Sequence, residues 1–550
     1  MKKNRLSSDS VSPRPRAIRR WIATTAPPLL LAAVTLVALP LAHSAESHPR
    51  IQFFIDAASQ DEQEAEKAMA ALAEAWQDSY TPLLVELAHF MAPRRESRMS
   101  GGMRTLGGRS GRLAASGGFS GGGGLGGGGG GGGGGATRSS LPTLGEMPRQ
   151  GASTKVRKRL VSFLEEQTGQ DFGDDLGAWR RWYWNLPYDP HPGYPSLKKA
   201  MYTKVEEELG IYFDAGGAAI VRLDEINYGG MLPSRSPILD HPKHVSAAEA
   251  DFLKDKHKVI GLEVRGEMRA YPEQILAFHE LTRDELGGVE LTIVNDFLCG
   301  TTIPYANSIR GAKLSFRPSG LVYRSNRMMV DEQSVTLWST LQGRAVLGPL
   351  TQHNVWLDTY PVVTTTWGEW KKLHPNTTIL SEDTGFPFDY SKGPRFQRYL
   401  DNDRLMFEVP RPDDRLKNKE PVLALTLPPT KDKNQDEDEI DRRRPRALAV
   451  KVDFLEKKEN RVFHTSLAGR ELVIVTSPKG ANRVYDAGET RFVSQELDGR
   501  LRDADGGTWL TYESMLVPET PGLSARSRLP ARRSFWFAWH AQFPRTALVK

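Results

Sequence analysis

The chain has 550 residues, 39% hydrophobic and 25% charged, a make-up of globular domains rather than of a fibrous or disordered protein. Its net charge of +6 is spread: arginines cluster in the leader, beside a Gly-rich tract and at Arg442 to Arg444, so nucleic acid is not expected as a partner. The single cysteine, Cys299, excludes an intramolecular disulfide and any multi-cysteine zinc site.

In chain order, basic residues run from Lys2 to Arg20, an apolar run follows from Ile22 to Leu41, and small residues follow at Ala42 to Ala45. That order predicts residues 1–45 to be a signal peptide or an N-terminal anchor, and Arg19-Arg20 admits a twin-arginine route. The implied location is periplasmic or extracellular. An apolar run of about 20 residues can also span a bilayer, so an inner-membrane tether is the rival expectation. Residues 46–95 read as a helical pair. Ala68, Ala71, Leu72 and Trp76, then Leu83, Leu84, Leu87 and Phe90, recur at helical spacing around a break at Ser79 to Pro82. Residues 96–150 are Gly- and Ser-rich, with Gly126 to Gly135 unbroken, and read as a disordered linker. Residues 151–204 resume a helical, aromatic-rich pattern with Leu160, Phe163 and Leu164 on one face and Trp179, Trp182 and Trp184 beyond. This helical region is a candidate seat for a protein partner.

From about Ile211 short β-prone runs alternate with turns: Ala219 to Leu223, Val259 to Val264, Leu291 to Val294 and Leu314 to Phe316. Two short helices are expected, Ala247 to Phe252 behind an N-cap at Ser246 and Pro272 to His279. The expected class is therefore α+β, with a β-rich C-terminal unit that carries its own core.

That unit contains matched blocks. Trp367-Gly-Glu-Trp370 followed by Pro375-Asn-Thr377 parallels Trp536-Phe-Ala-Trp539 followed by Pro544-Arg-Thr546. Gly288-Val-Glu-Leu-Thr-Ile-Val294 parallels Gly469-Arg-Glu-Leu-Val-Ile-Val475, and Arg269-Ala-Tyr271 parallels Arg446-Ala-Leu448. The blocks predict two diverged repeats, 205–420 and 421–550, joined by a charged stretch at Lys431 to Arg446. The tryptophans recur in both and read as core. The reactive residues do not recur. Counted from Gly288 and Gly469, His279 falls on Asn460 and Cys299 on Gly480, so a site belongs to the first repeat, with His279, Glu280, Asp284 and Cys299 as its candidates.

Several runs resemble the domain-of-unknown-function 3179 family. They are Arg269-Ala-Tyr-Pro272, His279-Glu280, Asp284, Gly287-Gly288, Leu298-Cys299-Gly300-Thr301, Ser319-Gly320-Leu321, Ser325-Asn326, Leu337-Trp338-Ser339, Gly348-Pro349-Leu350 and Asp383-Thr384-Gly385. The resemblance covers about Ile211 to Val549 and implies an uncharacterised exported bacterial protein. Where that family shows Tyr-Cys-Pro-Leu-Cys-Gly, this chain reads Asn295-Asp296-Phe297-Leu298-Cys299-Gly300, so a Cys-x-x-Cys couple cannot operate.

Three functions stay open. The first is an extracytoplasmic binding or interaction module of unidentified ligand, in which Cys299 is a packing residue. The second is a hydrolase or transferase with Cys299 as nucleophile, His279 as base and Glu280 or Asp284 orienting it. The third is a soft-metal site for copper or zinc drawn from His279, Cys299, Met328 and Met329. The binding module is preferred, and no particular cofactor is implied.

Overall fold

Side-chain caps and buried faces set the helices that open the described chain. The structure, a computed structural model, describes residues 50–91, 154–187, 191–214, 219–392, 396–428, 445–496 and 498–550. The leader at 1–45, the Gly-rich stretch at 96–150 and nearly all of the charged joint at 431–446 lie outside the described residues. The helices are α1 (Ile51–Ala57), α2 (Glu62–Glu74), α3 (Thr81–Met91), α4 (Thr154–Thr168), α5 (Leu176–Tyr183), α6 (Tyr194–Thr203) and α7 (Glu207–Ile211). The Asp61 carboxylate caps α2 by accepting from the Gln63 and Glu64 N–H groups, and Asp175 caps α5 through Ala178. The expected break at Ser79 to Pro82 falls earlier. Pro82 sits in the first turn of α3, where its missing N–H costs no helical bond, and the chain bends before it.

In the first half the strands are β1 (Ile226–Tyr228), β2 (Leu239–Asp240), β3 (His244–Ser246), β4 (Lys258–Val264), β5 (Glu267–Pro272), β6 (Leu281–Leu286), β7 (Val289–Asp296), β8 (Thr301–Ala306), β9 (Ser308–Ile309), β10 (Ala312–Lys313), β11 (Phe316–Tyr323), β12 (Asn326–Asp331), β13 (Leu337–Ser339), β14 (Arg344–Leu347), β15 (Val362–Thr366) and β16 (Thr378–Leu380). Short helices α8 (Glu273–Leu276), α9 (Trp367–Leu373) and α10 (Gln397–Leu400) intervene. The second half holds β17 (Pro421–Leu427), β18 (Arg446–Lys451), α11 (Val452–Glu456), β19 (Val462–Leu467), β20 (Arg470–Thr476), β21 (Asn482–Asp486), β22 (Phe492–Gln495), β23 (Leu501–Asp503), β24 (Thr508–Thr511), β25 (Met515–Pro518), β26 (Arg526–Ser527), β27 (Arg532–Phe535), α12 (Trp536–Gln542) and β28 (Ala547–Val549). The β-rich C-terminal region and the small helical N-terminal region are as expected. Two local expectations differ. Ala247 to Phe252 is a turn, because Glu249 satisfies the Ser246 N–H and hydroxyl without a helix following. Ala219 to Leu223 contributes only a bridge from Ala219 to Leu347.

The helices do not stand apart from the strands. Leu84, Leu87, Leu160, Trp179 and Leu197 share one core with Leu321, Met328, Val330 and Leu337 of the sheet β1-β11-β12-β13-β14. The apolar face of these helices is thus covered by this sheet. The expectation of a membrane tether is likewise corrected. Among the described residues no helix is long and apolar enough to cross a membrane, the longest being the 15-residue, charge-bearing α4; a span needs about 20 apolar residues. The apolar run Ile22 to Leu41 itself lies outside the described residues.

Four strands of a five-stranded sheet in the first half, which β3 completes at the edge, run in the same order as the four-stranded sheet of the second half. In the first, β15-β4-β5-β16 has β15 antiparallel to β4 and β16 parallel to β5; in the second, β27-β17-β18-β28 has the same directions. The meander β6-β7-β8 answers to β19-β20-β21. Trp370 donates to Thr377 at 3.0 Å and Trp539 to Thr546 at 2.9 Å; Trp338 donates to Asp331 at 2.9 Å and Trp509 to Asp503 at 2.8 Å. Strand register pairs the sequence blocks differently at two places. Arg269 pairs with Thr378 while Leu448 pairs with Ala547, so Arg269 answers to Leu448 rather than to Arg446. The pairs Asn295 with Thr302 and Thr476 with Asn482 place Gly300 with Gly480, and hence Cys299 with Lys479. The second turn is one residue shorter, which a count from Gly288 and Gly469 does not register.

Candidate functional site

The turn between β7 and β8 positions Cys299. Asp296 ends β7, and its Oδ1 accepts from the Leu298 N–H at 3.0 Å, which folds the chain back. Gly300 closes the turn at a φ of 60°, and the Phe535 ring lies where a Cβ would stand. Phe535 N–H also donates to Cys299 O at 2.7 Å, so the turn of the first half is clamped by β27 of the second. The thiol points inward. Cys299 has no exposed surface, its Sγ lies 3.6 Å from Ser325 O and 3.8 Å from Asn326 Nδ2, and its core neighbours include Met329, Trp338 and Trp536. Burial, then the nearby Asp296 carboxylate, pushes the thiol well above its ordinary value.

Asp296, which the sequence reading passed over, is the hub beside it. Its Oδ2 accepts from Asn326 Nδ2 at 2.8 Å and from Arg327 N–H at 2.9 Å. Asn326 Oδ1 in turn accepts from Leu341 N–H and Ser339 Oγ, and Thr340 Oγ1 donates to Arg327 O. Asn326 and Ser339 of the family resemblance therefore belong to a buried polar lattice joining β7, β12 and β13. The one sequence signal for Asp296 was the substitution of Asn295-Asp296 within the family run, read above only as a loss.

His279 stands elsewhere. It follows α8, and its Nδ1 lies 2.9 Å from Pro237 O while Nε2 lies 2.6 Å from Tyr390 Oη. A carbonyl can only accept, so Nδ1 carries the proton and Nε2 accepts from Tyr390, whose oxygen is 2.6 Å from Thr384 Oγ1. Burial holds the imidazole down to about 4. A cavity of about 20 Å³, room for a single water, is lined by His279, Glu280, Asn295, Phe297 and Arg327; Cys299 is not in its wall. Glu280 pairs with Arg327, whose guanidinium lies 4.7 Å from the Phe297 ring centre. Burial pushes the Glu280 carboxyl up and Arg327 pulls it back. Asp284 forms a third cluster, accepting from Arg269 at 2.9 Å and Tyr271 at 2.7 Å and lying 2.9 Å from His244 Nε2. Burial would raise Asp284, but His244, Arg269 and Tyr271 together hold it low.

The four candidates thus fall on separate sets of partners. The methionines divide too: Met328 faces the core shared with the helices, Met329 the core containing Cys299. Among the described residues no three or more His, Cys, Asp or Glu side chains gather as they would around a metal ion.

The profile described as a protein of unknown function, DUF3179, matches residues 234–546, more than half of the chain. The chain belongs to the domain-of-unknown-function 3179 family. No curated protein and no solved structure matches it. The family match takes in β2 to β27, α12 and every candidate above, and it stops short of α1 to α7.

Proposed function

We propose that this family member is a non-catalytic binding module built on a duplicated β scaffold and, from the order of its leader, exported. The observation that carries the reading is the state of its one thiol. A nucleophilic or metal-binding cysteine needs access and a depressed pKa; Cys299 is sealed between the halves, and burial moves its pKa the other way. His279 supports the same reading, since both ring nitrogens are engaged and neither faces the sulfur. The duplication is supported by the shared sheet order, the matching Trp–Thr and Trp–Asp bonds, and a reciprocal clamp: Gly300 lies under Phe535, and Ala481 of the answering turn packs in the core with Trp367 and Trp370.

Titration of the full chain with a chromogenic disulfide at pH 8 tests it. Cys299 is expected to stay unlabelled in the native protein and to react stoichiometrically in guanidinium. Labelling of the native chain within minutes would overturn the reading in favour of the cysteine-dependent hydrolase or transferase.

A further inference from the structure

A second, far larger cavity, of about 700 Å³, lies between the helices and the segment Met406 to Glu408. That volume suits a small-molecule ligand. Its wall mixes apolar side chains, among them Phe90, Met201 and Phe407, with charged ones. Nearly all of those charges are matched. Glu86 pairs with Lys198 behind the wall, Asp174 lies 3.3 Å from Arg157, and Arg181 holds Glu408 at 3.0 Å and Asp175 at 3.7 Å.

Arg180 is the exception. It keeps only 9% of its surface and lines the cavity, yet its guanidinium makes no hydrogen bond or ion pair among the described residues. The nearby Asp174 and Asp175 carboxylates are taken by Arg157 and Arg181, and they are more than half exposed and screened by water. A buried, always-charged group without a counter-ion is costly, and a fold keeps one where a ligand supplies the missing charge. Across the same space stands His89. Its ring is open, yet burial and the cations Arg180, Arg157 and Lys198 hold its pKa down to about 3. Open surface and enclosure together mean that it faces the cavity; neutral, it offers one donor and one acceptor and no competing charge.

We infer that this cavity binds an organic monoanion, a carboxylate on an apolar body, with Arg180 as its counter-ion and His89 as a second polar contact. The planar guanidinium can take a carboxylate through two parallel bonds, and the aromatic and thioether walls take the hydrocarbon. The inference deepens the binding reading above by giving it a site and a ligand class. Both residues lie outside the stretch matched by the family profile, so the polar contacts come from this chain's helical region, while Met406 to Glu408 of the matched stretch close one wall.

Calorimetric titration of the full chain with decanoate, below its micellar range, tests it against decylammonium and inorganic phosphate. Decanoate is expected to bind, decylammonium not to bind, and phosphate to bind at least about tenfold more weakly, since it lacks the apolar body. Arg180→Met keeps the packing stem and removes the charge. It should weaken decanoate by about tenfold or more and raise the melting temperature of the ligand-free protein, because an unpaired buried charge is gone. Equal binding of decanoate and decylammonium, phosphate binding as tight as decanoate, undiminished binding by Arg180→Met, or a lowered melting temperature for that variant would each overturn the inference. Thiol labelling of the same native samples reports separately on Cys299, so failure of the cavity site is distinguishable from failure of the non-catalytic reading.

Discussion

At Asp296 one carboxylate accepts from the Leu298 and Arg327 backbone N–H groups and from the Asn326 amide, with no surface of its own exposed. Asp296→Ala would strand three buried donors, each worth about 1 kcal/mol or more when left unmade, so a loss of about 3 kcal/mol or more is expected in urea unfolding. Cys299→Ala removes one sulfur from a core contact and should cost only about 1–2 kcal/mol. If the cysteine variant proved the more damaging, the lattice would be organised around the thiol instead. His279 adds a pH dependence with a definite sign. Its imidazole is held at about 4 when folded, against 6.5 ordinarily. Between those values the unfolded chain binds the extra proton, so stability contributed by this residue is whole above about 6.5, drains away on acidification and is gone below about 4. The stability advantage of the wild type over His279→Gln should therefore shrink from pH 7 to pH 4. An advantage that stays constant across that range would mean that the ring is not held neutral by burial.

The strand–turn–strand elements show where glycine is indispensable. Gly300→Ala would place a Cβ 2.7 Å from the Phe535 ring at a φ of 60°, so overpacking and left-handed strain add, and a loss of about 2–4 kcal/mol is expected in thermal or urea unfolding. A neutral result would show that β27 can withdraw from the turn. At the Gly287-Gly288 hairpin the positive φ alone does not demand glycine, since Ala468-Gly469 adopts the same φ in the second half, but a Cβ on Gly287 would run into the Val264 carbonyl. Some elements were legible: the β-branched runs at Val259 to Val264 and Leu291 to Val294 announce themselves by composition, whereas the Trp-x-x-Trp blocks read only as core and their helices, Trp367–Leu373 and Trp536–Gln542, were not expected. The register was not legible. A one-residue difference in turn length between β7–β8 and β20–β21 moves Cys299 from Gly480 to Lys479, and no hydrophobic pattern marks such a slip. The candidate site was legible only as residue types. His279, Glu280, Asp284 and Cys299 lie near one another in the chain, but His279 and Glu280 sit in the link between α8 and β6, Asp284 within β6 and Cys299 in the turn after β7, and each meets different partners.

At the scale of the whole molecule, residues 48–550 form one unit by contact, although the sequence changes character sharply near residue 211. Composition shows where helices give way to strands; it does not show which faces meet, because Met328, Val330 and Leu337 look like any strand interior until α3, α4 and α5 are seen to cover them. A buried polar group fixes the same joint: Lys198 of α6 binds Glu86 of α3 and the carbonyl of Ile226 in β1. A chain beginning near residue 200 would lose both the cover and the lysine, baring an apolar sheet face of a few hundred Å², a size at which soluble proteins associate. Such a chain is expected to elute as aggregates, or to melt well below the full-length protein, when compared by size-exclusion chromatography and calorimetry. In the intact chain, helix content followed by far-ultraviolet dichroism and core packing followed by tryptophan fluorescence should be lost in one coincident urea transition, since the helices and the sheet share a core. A truncated chain that stays monomeric and melts as the full chain does would mean that the β-rich region closes that face by itself, and the shared core would then be a contact the fold can do without.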